Sequence, residues 1–148
     1  MSHAEEEVLA ANRAFYDAFA RRDLPAMEAL WARAAPCACV HPGWDALRGR
    51  DPVLASWKAI LSSPAAPAVH CTRASVHVLG EHAFVLCLEE IDGARLVATN
   101  LFAREAGGWK LVHHHAGPLT RPSADEVDEV NEVNEGNEDD GSPSGLLN

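Results

Sequence analysis

The sequence has no apolar run approaching the roughly 18 to 20 residues that a membrane span needs, and its opening stretch, MSHAEEEVLAANR, lacks the basic flank and apolar core of a leader. Membrane insertion and export are not expected. Positive charge is scarce as well, with 12 Lys and Arg against 22 acids. No basic cluster forms the footprint that a nucleic-acid partner requires. Four cysteines in 148 residues are too few to suggest a disulfide scaffold in a chain long enough to build its own core. Cys37, Cys39, Cys71 and Cys87 are expected as reduced, mostly buried thiols in a cytoplasmic protein.

What is present fits one soluble domain with an appendage. Hydrophobic residues make up 47% and charged residues 23% of the chain, enough to enclose a core. The charge is unevenly spread. Of the net −10, residues 120–148 carry nine acids and one base, which leaves the body near neutral. Past Pro118 the chain falls into a triplet pattern, Glu126-Val127-Asp128, Glu129-Val130-Asn131, Glu132-Val133-Asn134. So few apolar residues cannot offset the entropy of ordering, so 120–148 is expected to be a disordered acidic tail and 1–119 the folded domain.

Periodicity divides the body in two. From Ala4 to about Arg22, Val8, Leu9, Ala11, Phe15, Ala18 and Phe19 recur at spacings of three and four, which predicts a helix. Asp23-Leu24-Pro25 then starts a short second helix through Met27, Leu30 and Trp31. Cys37–His41 reads as a short strand ended by Pro42-Gly43. Asp51 followed by Pro52 predicts the cap of a third helix with Val53, Leu54, Trp57, Ile60 and Leu61 on one stripe. Beyond Ala68 the period becomes two, in the runs Val69–Leu79, Ala83–Ile91, Arg95–Arg104 and Trp109–His115, joined by short Gly-bearing turns. Helices followed by an antiparallel meander define an α+β domain whose helices cover one face of a curved sheet.

This order of parts, with the segments Cys39-Val40-His41-Pro42-Gly43-Trp44-Asp45, Ala98-Thr99-Asn100-Leu101-Phe102 and Gly108-Trp109-Lys110-Leu111-Val112-His113-His114-His115, resembles the SnoaL-like branch of the nuclear transport factor 2-like superfamily over about residues 4–119. The last two segments are also similar to the closing hairpin of the association (hub) domain of calcium/calmodulin-dependent protein kinases. The resemblance implies a cone-shaped, strongly curved antiparallel sheet wrapped around N-terminal helices, with an internal cavity and a convex face used for dimerisation. Members include isomerases, cyclases, dehydratases and noncatalytic binders, so function must be argued from the cavity.

If Glu105-Ala106-Gly107-Gly108 forms the last hairpin turn, Asn100 lies opposite His113, Ala98 opposite His115 and Phe102 opposite Leu111, all on one face. That alternation aims Asn100, His113 and His115 into the cavity. Val97, Thr99, Leu101, Ala103, Val112 and His114 are left for the outer face. A β-bulge reverses the assignment. The candidate proton-transfer residues are therefore His115, His113 and Asn100. Tyr16, His41, Trp44, Asp45 and Trp57 are candidate ligand contacts, with Trp44 as an aromatic lid and Asp45 either at the site or capping its own turn. One of Glu89 and Glu90 must face inward by alternation, where burial would raise its pKa. Cys37, Cys39 and His41 share a strand face, but their spacing matches no zinc motif, and neither metal nor cofactor is expected.

In the hub domains the position matching Asn100 carries an arginine that helps bind anions. An asparagine there points to a neutral ligand. The preferred reading is a homodimeric domain binding a small neutral organic molecule. The alternatives are an isomerase, cyclase or dehydratase using a His base with Asn as donor, and an oligomeric association scaffold.

Overall fold

The computed structural model describes residues 1–124, so the triplet-repeat part of the expected tail lies outside the described residues. The chain divides after Pro118, and Met1–Pro118 form the unit that carries the fold. Helix α1, His3–Arg21, starts at a capping box in which Ser2 and Glu5 satisfy each other's backbone N–H, and it ends where Arg22 turns left-handed. Helix α2, Leu24–Leu30, is capped by Asp23, whose carboxylate accepts from Ala26 N at 3.1 Å. Strands β1, Ala38–Val40, and β2, Leu47–Arg48, lead into α3, Arg50–Ser62. The cap of α3 is Gly49 at φ 96°, not Asp51, which lies in the first turn with Pro52 behind it. Gly49 N donates to Cys37 O, and the positive φ that this approach requires is one glycine adopts without strain.

Four long strands follow: β3 Val69–Leu79, β4 His82–Ile91, β5 Ala94–Glu105 and β6 Gly108–Pro118. The sheet order is β2-β1-β6-β5-β4-β3, unclosed, antiparallel except where β1 runs parallel to β6. The β4–β5 and β5–β6 turns place two successive residues at positive φ, Asp92-Gly93 and Ala106-Gly107. This backbone matches strand twist and keeps the hairpins tight.

Helix α1 lies chiefly against β3, with further contact to β4 and β6. The core between the helices and the sheet is aromatic. Phe15 meets Trp57 edge to face at 5.4 Å between ring centres, Phe19 meets Trp57 at 5.0 Å, and Trp31, Met27, Phe102 and Leu111 are fully buried around them.

One irregularity decides which residues face this core. In β5–β6, Phe102 pairs with Leu111 but Leu101 pairs with His113, so Val112 is an extra residue in β6. The bulge shifts every later pair by one, and Asn100 lies opposite His114. The expected facing of His113 and His115 toward the cavity is thereby corrected. Both lie on the outer face with Leu101 and Thr99, His115 exposed and His113 bound through Nδ1 to Ala38 O at 3.0 Å. His114, assigned to the outside by simple alternation, is 2% exposed and faces in. The β5 expectation needs no such correction, since Ala98, Asn100 and Phe102 are all buried.

Candidate functional site

Five side chains from four elements form one buried polar layer. Asn12 and Tyr16 come from successive turns of α1, Glu89 from β4, Asn100 from β5 and His114 from β6. Asn100 Nδ2 donates to Asn12 Oδ1 at 2.9 Å and to the Tyr16 hydroxyl at 3.1 Å. The Tyr16 O–H in turn donates to Glu89 Oε2 at 2.6 Å. With its amide nitrogen so used, Asn100 presents Oδ1 to His114, and an amide oxygen only accepts. His114 is thus an Nδ1–H tautomer whose Nε2 lone pair points on toward Glu89, 3.8 Å away.

Burial disfavours charge on both members of the Glu89–His114 contact. Burial lowers His114 to about 3, helped by the nearby imidazoles of His41, His113 and His115. Burial also raises Glu89 above the usual carboxylate range, against a smaller opposing effect of the Tyr16 hydrogen bond. Burial thus works against charge on both sides of the contact, and Tyr16, pushed well up by burial and by Glu89, keeps its proton.

This pair lies at the inner end of a cavity of about 350 Å³. Phe19, Trp57, Ile60, Ile91 and Leu96 line its walls, with Trp44 and Pro42 at the rim. His41, just past β1, closes one side. Its Nε2 meets Ser56 Oγ at 2.9 Å, and because the Ser56 hydroxyl donates to Val53 O at 2.6 Å, His41 is the donor to it. Burial holds His41 down to about 4. Trp44 stands edge-on to His41 at 4.9 Å and is 49% exposed.

Of the residues expected from sequence, Asn100 and Tyr16 belong to the polar layer, and His41, Trp44 and Trp57 line the cavity. Asp45 does neither. It is exposed and accepts from the N–H of Ala46, the turn-capping alternative. Between the two glutamates, Glu89 is 2% exposed and Glu90 is exposed. His114, Asn12 and Ser56 were not singled out. Only the amphipathic pattern of α1, which puts Asn12 one turn before Tyr16 on its inner side, carried a signal for Asn12. Among the described residues no group of three or more His, Cys, Asp and Glu side chains is arranged to hold a metal ion. Cys37 Sγ is turned to Ala32 O at 3.3 Å, whereas Cys39 Sγ lies 3.7 Å from His41 Nε2. Nor is any helix among them long and apolar enough to cross a membrane.

A helix-covered, bent sheet with a polar layer at the bottom of an apolar pocket is the architecture of the nuclear transport factor 2-like cone. The SnoaL-like domain profile matches residues 8–120, and the chain belongs to that family. A solved structure from Streptomyces avermitilis, provisionally described as a dehydratase of the NTF2-like family, is 38% identical with a TM-score of 0.73, covering 79% of this chain and 96% of that one. Another, from Thiobacillus denitrificans and provisionally described as a calcium/calmodulin-dependent protein kinase type II association domain, is 34% identical. Its TM-score is 0.68, and the match covers 76% of this chain and 94% of that one. Among curated proteins, the F-box protein SKIP8 of Arabidopsis thaliana is 25% identical over 114 residues, 76% of this chain. The chain spans about half the length of that relative, 49%.

Proposed function

We propose that this domain binds a small, neutral, largely apolar organic molecule in the cavity, with Glu89 and His114 as its polar contacts and Trp44 closing over it. The observation that carries the reading is the junction of an apolar, aromatic-walled pocket of about 350 Å³ with two buried polar side chains at its inner end. Pockets of that kind and size suit compact organic ligands. Charge supports neutrality, since burial disfavours the charged forms of Glu89 and His114 and the lining contains no Lys or Arg. The test is a thermal-shift panel of ketones, epoxides and lactones on the full chain and on Trp44→Ala. Stabilisation that the substitution weakens supports the reading, and a panel without any response across these classes removes it.

A second reading is acid–base catalysis in the same pocket, favoured by the 3.8 Å acid-to-imidazole contact and by the likeness to the Streptomyces protein. His114 Nε2 would take a proton from a carbon next to a carbonyl while Glu89 gives one to a departing β-hydroxyl. Water leaves and a conjugated double bond forms. Asn100 acts there as a positioning residue that selects the His114 tautomer. Ultraviolet absorbance of an enone product from β-hydroxy ketones, lost in Glu89→Gln, distinguishes catalysis from binding alone.

We further propose that the outer sheet face carries self-association, as the kinship with association domains suggests. Leu86 and Val97 are 39% and 42% exposed there, beside half-buried Phe84, Leu88 and Leu101. We propose as well that the folded domain ends near residue 119, ahead of the acidic segment, and that the protein is cytoplasmic.

A further inference from the structure

Two thiols outside the cavity adjoin its polar layer from the opposite side. Cys71 of β3 pairs across to Glu89 of β4, so it projects from the inner face, and Cys87 lies two residues back along β4 on that same face. Opposite Cys87 the β3 strand bulges between Thr72 and Ser75, with Arg73 at φ 54°. The register thus sets the two thiols diagonally across the β3–β4 pair on the inner face.

Their surroundings differ. Cys87 is 3% exposed, with Sγ 3.2 Å from the Tyr16 hydroxyl and 3.9 Å from Asn100 Nδ2. Cys71 is half-buried and lines a separate hollow of about 510 Å³ between α1 and β3. Asn12 Nδ2 donates to its Sγ at 3.7 Å, and Arg13, Asp17 and Arg73 line the same hollow. An N–H donor favours a thiolate. In keeping with that, the neighbouring Cys87 thiol and the Asn12 N–H lower the Cys71 thiol against partial burial and the charge of Glu89, while Cys87 is pushed up by Cys71 and by burial and holds its proton.

We propose that Cys71 and Cys87 form a peroxide-sensitive dithiol site, in which Cys71 is the accessible attacking thiol and Cys87 the buried resolving one. The Cys71 thiolate attacks one oxygen of a hydroperoxide. An S–O bond forms as the O–O bond breaks, and the departing alkoxide or hydroxide takes a proton from water. Cys87 then attacks the Cys71 sulfur, its proton passing to the departing hydroxyl. The S–S bond forms, the S–O bond breaks and water leaves, so two electrons pass from the thiol pair to the hydroperoxide. Drawing the sulfurs together takes Cys87 from Tyr16 and Cys71 from Asn12, so oxidation is felt in the polar layer that faces the ligand cavity. Cys37 and Cys39 serve as internal controls, being buried, raised by that burial, Cys39 to about 12, and remote from the hollow.

The experiment treats the reduced full-length chain with graded hydrogen peroxide, blocks the remaining thiols by alkylation and reads the peptides by mass spectrometry. The expected result is a Cys71–Cys87 linked peptide, reversible by dithiothreitol, forming at least about tenfold faster than any oxidation of Cys37 or Cys39. Cys87→Ser, checked for folding by circular dichroism, is expected to stop at Cys71 sulfenic acid and pass on to sulfinic acid that dithiothreitol does not reverse. Oxidation of Cys71 no faster than of Cys39 in the unsubstituted protein overturns the proposal. So does sulfinic acid at Cys71 without any cross-link while Cys87 is present.

Discussion

His114 donates its Nδ1–H to Oδ1 of Asn100 at 2.5 Å, across a strand pair that the Val112 bulge brings into register. That one bond sets the tautomer of a buried imidazole and turns its second nitrogen toward Glu89 and the cavity. The three consecutive histidines therefore play unequal parts, and the inequality is measurable.

Replacing His114 by Ala strands the Asn100 oxygen and leaves a void beside Phe15, whose ring centre lies 5.0 Å from the imidazole. Loss of a buried hydrogen bond together with a cavity is expected to cost about 2–4 kcal/mol. His115→Ala, at an exposed site, is expected to stay within about 0.5 kcal/mol of the parent. Urea denaturation of both variants checks the order, and equal losses would refute the assigned facing of β6.

Glu89 makes stability fall as pH rises above the ordinary carboxylate range. Its folded pKa is raised, so as pH climbs past 4.5 the unfolded chain releases a proton that the folded one keeps, and stability falls with pH up to the folded pKa. Glu89→Gln preserves an acceptor for Tyr16 without a titrating proton. Its melting temperature is expected to gain on the parent as pH rises above 4.5, up to the folded pKa of Glu89. A difference independent of pH would mean that Glu89 is ionised in the fold.

His41 and His114 act on the acid side. Both are lowered, to about 4 and about 3, so below pH 6.5 the unfolded chain takes up protons that the folded one refuses, and stability declines as pH falls toward those values. Each such proton contributes a slope of about 1.4 kcal/mol per pH unit. His41→Gln, able to keep a donor toward Ser56, is expected to show a slope shallower by one proton between pH 6 and 4.5 in denaturation measured over pH.

Trp44 separates binding from folding. Because it is half exposed at the rim, Trp44→Ala is expected to change stability by less than about 1 kcal/mol. Any ligand that stabilises the parent should bind it at least about tenfold more weakly, a loss of roughly 1.4 kcal/mol. Isothermal titration decides, and unchanged affinity would remove Trp44 from the site.

Self-association through the outer face predicts that Leu86→Glu combined with Val97→Lys lowers the sedimentation coefficient of the parent assembly while circular dichroism is unchanged. A parent that already sediments as a monomer would rule this interface out.

Much of this architecture was legible before any coordinates. The spacing of Val8, Phe15 and Phe19, the Asp23 cap and the four period-two runs specify helices and strands through local rules, because propensity and alternation act over a few residues. The shared face of Ala98, Asn100 and Phe102 followed from alternation alone. Glu89 against Glu90 did not. Phe84, Leu86 and Leu88 share the parity of Glu90, and only the packing of α1 on the face of Ala83, Val85 and Cys87 makes that large apolar trio the outer one.

His114 marks the boundary most clearly. Nothing local distinguishes it from His113 and His115, since a bulge costs one unpaired residue and is selected by how β6 must bend to meet both β5 and β1. Local chemistry in the chain determined the elements, their order and the stock of polar groups available for a site. Long-range packing decided which of those groups met, because facing and burial depend on partners distant in sequence: Asn100 lies 88 residues from Asn12, and Tyr16 lies 73 from Glu89.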